Sequence, residues 1–227
     1  MATITASDVV NSIKAIAETI DFASLGPYRM LDEGYLKHYL SAILNWDFRL
    51  LNLTGATHPV QLHPEWPTYE EQTRLEYGRY ERRITAEETP VYWPANQGAA
   101  GILDFAIGGY ERPQIGIELT MEYGWAHETI VYDFMKLMDS RNPFSAGVSY
   151  NVLLRPAGFV DRVDEPQHLI DNMNRAIEDA SARLGARVCD NTRQLVFVFT
   201  ETDEDARRRH WHYDQHRRTF VKGLPNT

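Results

Sequence analysis

Apolar residues at helical spacing open the chain. Val9, Val10, Ile13, Ile16, Ala17 and Ile20 predict a helix over 7–22, capped by Ser7 or Thr5 and stopped at Leu25-Gly26-Pro27. Leu36, Tyr39, Leu40, Ile43 and Leu44 form the stripe of a second helix over 32–45. Asp32 is its cap, and Glu33 sits in the first turn, where the helix dipole favours an acid. A short strand fits 48–53. Pro59, Pro64 and Pro67 predict loop over 58–67, with His58 and His63 as loop histidines. The charged stretch 70–84 reads as a long exposed strand beside the one carrying Asp104, or as a helix interrupted at Gly78. A loop over 89–100 brings Tyr92, Trp93 and Asn96 close in sequence to that strand.

Strand patterns then take over. Residues 102–107 alternate around Asp104, a turn with Gly108, Gly109 and Pro113 follows, and 114–119 is apolar except for Glu118. Ile130, Phe134, Leu137 and Met138 make the stripe of a helix over 126–140, which Asn142-Pro143 stops. Lys136 lies on a face of it that can turn toward the hairpin. A strand over 146–154, a helix over 165–184 and a Val- and Phe-rich strand over 194–200 come next. The basic segment 203–220 predicts a final helix. This order predicts an α/β fold, a central mixed β-sheet flanked by helices, with an extra N-terminal helix and a basic C-terminal helix. No repeat, low-complexity tract or linker divides the 227 residues, so a single domain is expected.

Composition narrows the function classes. Hydrophobic residues make up 43% and charged residues 24%, the balance of an ordinary globular protein. No apolar run is long enough to cross a bilayer, and the N-terminal stretch carries Asp8 and Glu18 where a signal peptide would be basic. A cytoplasmic protein with no membrane partner is expected. Cys189 is the single cysteine, which excludes an intrachain disulfide and a thiolate metal cluster. The net charge of -9 argues against a general nucleic-acid coat protein but not against an enzyme that gathers its positive charge on one face.

The candidate chemistry centres on Asp104 and Glu118. Two carboxylates on neighbouring strands, flanked by Ile, Leu and Phe, are unfavourable to bury together unless a cation neutralises them. An all-oxygen pair suits a hard divalent ion, Mg2+ or Mn2+. The competing reading places both on the solvent side of a half-buried hairpin. Arg79, Arg82 and Arg83 interleave with Tyr77 and Tyr80, a composition that suits contact with a nucleic-acid backbone or a solvated strand face equally. Arg207, Arg208, Arg217 and Arg218 crowd the C-terminus and favour phosphate or partner contact. His212 and His216, four apart on the expected helix, have a metal-ligand spacing, although a basic and aromatic surface helix also accounts for them and for His210.

The chain resembles the PD-(D/E)XK nuclease superfamily, the restriction-endonuclease-like fold. In that family a helix carrying a glutamate precedes a β-meander, an aspartate sits on the second strand, (D/E)-x-K on the third, and a helix and a strand follow. Glu33 matches the helix acid, Asp104 the metal-binding aspartate in its Gly-x-x-Asp setting (Gly101-Ile102-Leu103-Asp104), and Glu118 the metal-binding glutamate. The resemblance covers about 32–154, leaving about 160–227 as a C-terminal extension. It implies metal ligation by Asp104, Glu118 and the Leu119 carbonyl, phosphodiester hydrolysis in nucleic acid, DNA foremost, and a restriction or defence setting. A homodimer is expected, since cutting two strands needs two sites. One position departs: the family's lysine is Thr120 here. Either the lysine has migrated, with Lys136 the best candidate and Glu122 auxiliary, or the domain no longer cuts and serves as a nucleic-acid-binding or assembly subunit.

Overall fold

The computed structural model describes residues 5–6, 8–9, 11, 37–38, 41–42, 62–68, 78–86, 89–109, 112–123, 127–154, 167–202 and 208–225. Its frame is a seven-stranded sheet in the order β1 (Leu62–Pro67), β5 (Ile102–Gly109), β6 (Arg112–Tyr123), β7 (Ala146–Leu154), β8 (Gln194–Thr202), β9 (Arg208–Asp214) and β10 (Thr219–Lys222). β1, β5 and β6 pair antiparallel, β6, β7 and β8 pair parallel, and β9 and β10 close the edge antiparallel. The sheet is therefore mixed and the fold is α/β. A second, three-stranded sheet runs β3 (Pro90–Ala95), β2 (Arg79–Ile84), β4 (Ala99–Ala100).

Helices α1 (His127–Met138) and α2 (Gln167–Leu184) are the crossovers that parallel pairing demands. Their apolar stripes share one core with Leu103, Phe197, Phe199, Trp211 and Phe220 of the sheet. Ile115, Ile117, Leu119, Val148, Val152 and Val198 are buried as well, so both faces of the central strands are covered. That matches their near-continuous apolar sequences. No helix among the described residues is long and apolar enough to cross a membrane.

Several expected elements change. Residues 62–67 form a strand despite Pro64 and Pro67, because β1 is an edge strand, where a missing N–H is tolerated. The stretch from Arg79 is a strand, but it pairs with β3 and β4 of the small sheet rather than with the Asp104 strand. The expected loop at 89–100 supplies those two partners. The basic C-terminal helix is a hairpin instead, β9 and β10, joined by a turn at Gln215–Arg218 in which Arg218 has φ 55°. Trp211 and Tyr213 alternate with His210 and His212, and the aromatic pair faces the core: Trp211 stacks on Phe199 and Tyr213 meets Phe197 and Phe220. The C-terminal segment is thus part of the main sheet. At the N-terminus Thr5 is the cap, exchanging bonds with Asp8 (Thr5 N–H to Oδ2 2.7 Å, Asp8 N–H to Thr5 Oγ1 3.3 Å). The expected strand at 48–53 and His58 lie outside the described residues.

The end of α1 is clamped by charge. Arg193 donates to the carbonyls of Leu137, Asp139 and Asn142 at 2.9, 2.7 and 2.6 Å, closing acceptors that the helix leaves open. Asp139 is wholly buried and is paired with Arg187, while Tyr80 donates its hydroxyl to it at 3.2 Å. Asn142 ties the start of β2 to the helix, accepting from Gly78 N–H at 2.8 Å and donating to the Lys136 carbonyl at 2.6 Å. Removing one partner of a buried pair strands the other charge, so Arg187→Met is expected to destabilise the protein by about 3 kcal/mol. Urea unfolding with an unchanged m-value checks this; a loss below about 1 kcal/mol would show that Asp139 does not depend on Arg187.

Candidate active site

The register of β5 and β6 runs from the Gly109–Arg112 pair to the Phe105–Ile117 pair and ends beside Asp104 and Glu118. There the Asp104 carboxylate accepts a backbone bond in the manner of a strand carbonyl: Leu119 N–H donates to Oδ2 at 2.6 Å. Its other oxygen, Oδ1, lies 2.6 Å from Lys37 Nζ. Lys37 is one of the helical residues 37, 38, 41 and 42, within the expected second helix, and also meets Glu65 Oε1 of β1 at 3.3 Å. Asp104 is therefore fixed on one oxygen by the strand and on the other by an ammonium.

Glu118 is held from the opposite direction. Lys136 of α1 places Nζ 2.6 Å from Glu118 Oε1, 3.0 Å from Asp133 Oδ1 and 2.8 Å from the Ile102 carbonyl. Thr120, in the position expected to be lysine, donates its hydroxyl to Asp133 Oδ2 at 3.0 Å. A chain of contacts thus runs Thr120, Asp133, Lys136, Glu118, all of them buried. Gly101 makes room for it: a Cβ there would lie 3.1 Å from Lys136 Cδ and 2.9 Å from the Tyr80 ring. The ammonium also sits 4.7 Å from the centre of the Tyr132 ring, which stacks on Tyr92 at 3.9 Å. Next door in the parallel register, Ser149 lies beside Glu118 and Asn151 beside Thr120, so the polar strip continues into β7.

Among the described residues, three carboxyls (Asp104, Glu118, Asp133) share two ammonium groups (Lys37, Lys136) in a buried place. Burial accordingly pushes all three carboxyls above their ordinary range, Glu118 most strongly, against the pull of the lysines. Burial works against the Lys136 ammonium, but the Glu118 and Asp133 carboxylates overcome it and hold the lysine above its usual value. Burial raises the Tyr132 phenol to about 12. It stays neutral at any ordinary pH.

The sequence-expected residues divide as follows. Asp104, Glu118 and Lys136 are brought together, and Leu119 enters through its N–H. The reading of Asp104 and Glu118 as a solvent-facing pair is overturned by their burial. Glu33 and Arg207 lie outside the described residues, as do the side chains of Glu122 and Arg208. Arg79, Arg82 and Arg83 are on the small sheet, with Arg82 and Arg83 exposed. Arg217 and Arg218 lie in the exposed β9–β10 turn. β9 is three strands beyond β6, about 15 Å at the usual strand spacing, so this turn is not part of the carboxylate site. The histidines are not metal ligands of a shared helix face: His210 Nδ1 is 2.9 Å from Thr200 Oγ1, His212 Nδ1 is 3.0 Å from the Gly223 carbonyl, and His216 is an exposed turn residue. Lys37 and Asp133 were missed. Both lie on expected helices, where a charged side chain reads as a solvated face.

Among the described residues no group of three or more His, Cys, Asp or Glu side chains is arranged to hold a metal ion. The Asp104 and Glu118 carboxylates nonetheless fit a hard divalent cation in kind, since both donors are oxygen. Such an ion would compete with an ammonium for either carboxylate.

A pH dependence follows from the raised carboxyls. They bind protons more tightly folded than unfolded, so their contribution to stability is full at low pH. It is lost as pH rises from the ordinary carboxylate range through their folded values. Metal-free protein should show this loss, and Glu118→Gln should lack its largest part; thermal unfolding of both from pH 4 upward checks it. A wild type that gains stability relative to Glu118→Gln over that window would reverse the assignment. No family model, curated protein or solved structure matches the chain, so the case for its chemistry rests on these side chains.

Proposed function

We propose that this protein is a metal-dependent nuclease that hydrolyses phosphodiester bonds in DNA, with a restriction-endonuclease-like core. The topology supports this: the helical residues 37, 38, 41 and 42 precede β1, β5 and β6, which form an antiparallel meander in space, and α1 and a parallel β7 follow. Asp104 is on the second strand of that meander and Glu118 on the third. The observation that carries the reading is the 2.6 Å contact of Lys136 Nζ with Glu118 Oε1. It brings from the next helix the positive charge that Thr120 does not supply.

Asp104 and Glu118, with the Leu119 carbonyl, would hold Mg2+ or Mn2+, which when bound acidifies a water and stabilises charge developing at phosphorus. The chain's own groups set the stage. Leu119 N–H fixes the rotation of the Asp104 carboxylate, and Lys136 fixes that of Glu118. Asp133, itself bonded to Thr120, holds Lys136 in place, and the Tyr132 ring lies against its buried ammonium. Exposed Arg82 and Arg83 supply backbone contacts along the substrate.

One observation favours a second reading. Each carboxylate is already paired with an ammonium at 2.6 Å, as in a site that has exchanged its metal for lysines and binds nucleic acid without cutting. One experiment separates the two. Plasmid DNA, single-stranded DNA and RNA are incubated with Mg2+, Mn2+ or EDTA, using wild type and Asp104→Asn. Metal-dependent cutting of DNA that falls at least ~100-fold in the variant is expected. DNA binding with no cutting in any metal selects the second reading, and cutting unchanged in Asp104→Asn rejects the site altogether.

A further inference from the structure

We propose that Lys37 is the catalytic residue that contacts the substrate phosphate in this site, and that Lys136 is a positioning residue confined to the interior. This deepens the nuclease reading and rests on it. An ammonium has three N–H groups. Those of Lys136 have three acceptors within bonding distance: Glu118 Oε1, Asp133 Oδ1 and the Ile102 carbonyl. Its side chain is 5% exposed. To touch a phosphate it would have to give up one of these bonds and leave a buried acceptor unsatisfied. It is built to hold Glu118.

Lys37 is placed differently. Its side chain is 23% exposed, and its ammonium bridges the inner carboxylate of Asp104 and the outer one of Glu65, whose side chain is 62% exposed. It stands where the buried cluster opens to solvent, on the side of Asp104 away from the Leu119 N–H. Asp104 and Glu118 would hold a divalent cation, which would draw a phosphodiester to this cluster. Lys37, the more exposed of the two ammonium groups, is the one a phosphodiester meets first from solvent. The positive charge that the strand position Thr120 lacks is therefore divided between two helices: one lysine orients, the other receives the substrate.

The test compares Lys37→Met, which keeps the apolar stem, Lys37→Arg, which keeps the charge, and Lys136→Met. Single-turnover cleavage of a duplex DNA in Mg2+ is measured. So is binding of the same duplex in Ca2+ over a range of KCl, together with thermal unfolding. For Lys37→Met, a cleavage rate about 100-fold lower is expected, with a salt slope reduced by about one phosphate contact and some loss of unfolding temperature from the Asp104 carboxylate left unpaired. Lys37→Arg restores the salt slope. Lys136→Met lowers the unfolding temperature and leaves the salt slope alone. The proposal is overturned if Lys37→Met matches wild type in the salt slope, or if Lys37→Arg is as defective as Lys37→Met in binding. If wild type cuts nothing but binds, the nuclease reading fails, while the salt slope still decides the assignment of Lys37 to phosphate. If wild type neither cuts nor binds, both fall.

Discussion

The structure turns on an electrostatic problem at the seam between sheet and helix. Asp104, Glu118 and Asp133 are each buried, and water alone does not solvate them there. Two ammonium groups from two separate helical segments reach them, Lys37 from one side and Lys136 from the other. Neither lysine is on the strands that carry Asp104 and Glu118. The sheet therefore supplies negative charge, the helices supply positive charge, and the docking of helix on sheet brings the two together. A protein selected only for stability gains little from such an arrangement, since apolar side chains of similar volume do as well or better.

That dependence explains why the far end of α1 is so heavily tied. The position of the Lys136 ammonium is only as good as the position of the helix that bears it. The Lys136 carbonyl is bonded to Asn142, which also takes the Gly78 N–H. Arg193 closes three carbonyls at the same end, and Arg187 pairs with Asp139. On the outer side the small sheet leans on the same helix, with Tyr92 stacked on Tyr132 and Arg183 forked onto Glu128 at 2.7 and 2.9 Å. A network that looks purely structural in a list of contacts fixes the helix in rotation and translation, and with it the distance to Glu118.

Much of the site was legible because its residues break a pattern. Asp104 and Glu118 interrupt apolar strands, and an interruption in a buried strand has to be explained. The Gly108–Pro113 turn announced that the two strands are neighbours. Lys136 was legible in part from its helix face, which can turn toward the hairpin, and the resemblance, with its lysine position occupied by Thr120, singled it out. Lys37 and Asp133 were not legible, because on an amphipathic helix a charged residue is the ordinary content of the polar face. Only the docking angle reveals that these two point inward. The C-terminal hairpin was misread for a related reason. Its run of arginines and histidines reads as a basic helix when charge is counted, while the alternation of His210, Trp211, His212 and Tyr213 has the period of a strand with one aromatic face. β1 was hidden by its prolines, which forbid a central strand and permit an edge one.

The threonine at 120 can now be understood in terms of space. A lysine there would carry an ammonium on the strand itself, pointing at the face where α1 lies. Thr120 is 1% exposed and its hydroxyl is satisfied by Asp133, so no room remains for a longer side chain without moving the helix. The short side chain at 120 lets α1 lie close to the strand, and Lys136 reaches Glu118 from that helix. The positive charge at Glu118 therefore comes from the helix and not from the strand. The Lys136 side chain passes Gly101, and its ammonium, over the Tyr132 ring, faces the carboxylates and the Ile102 carbonyl. Lys136 is therefore committed to holding Glu118 and Asp133, and Lys37 is the more outward-facing ammonium of this cluster.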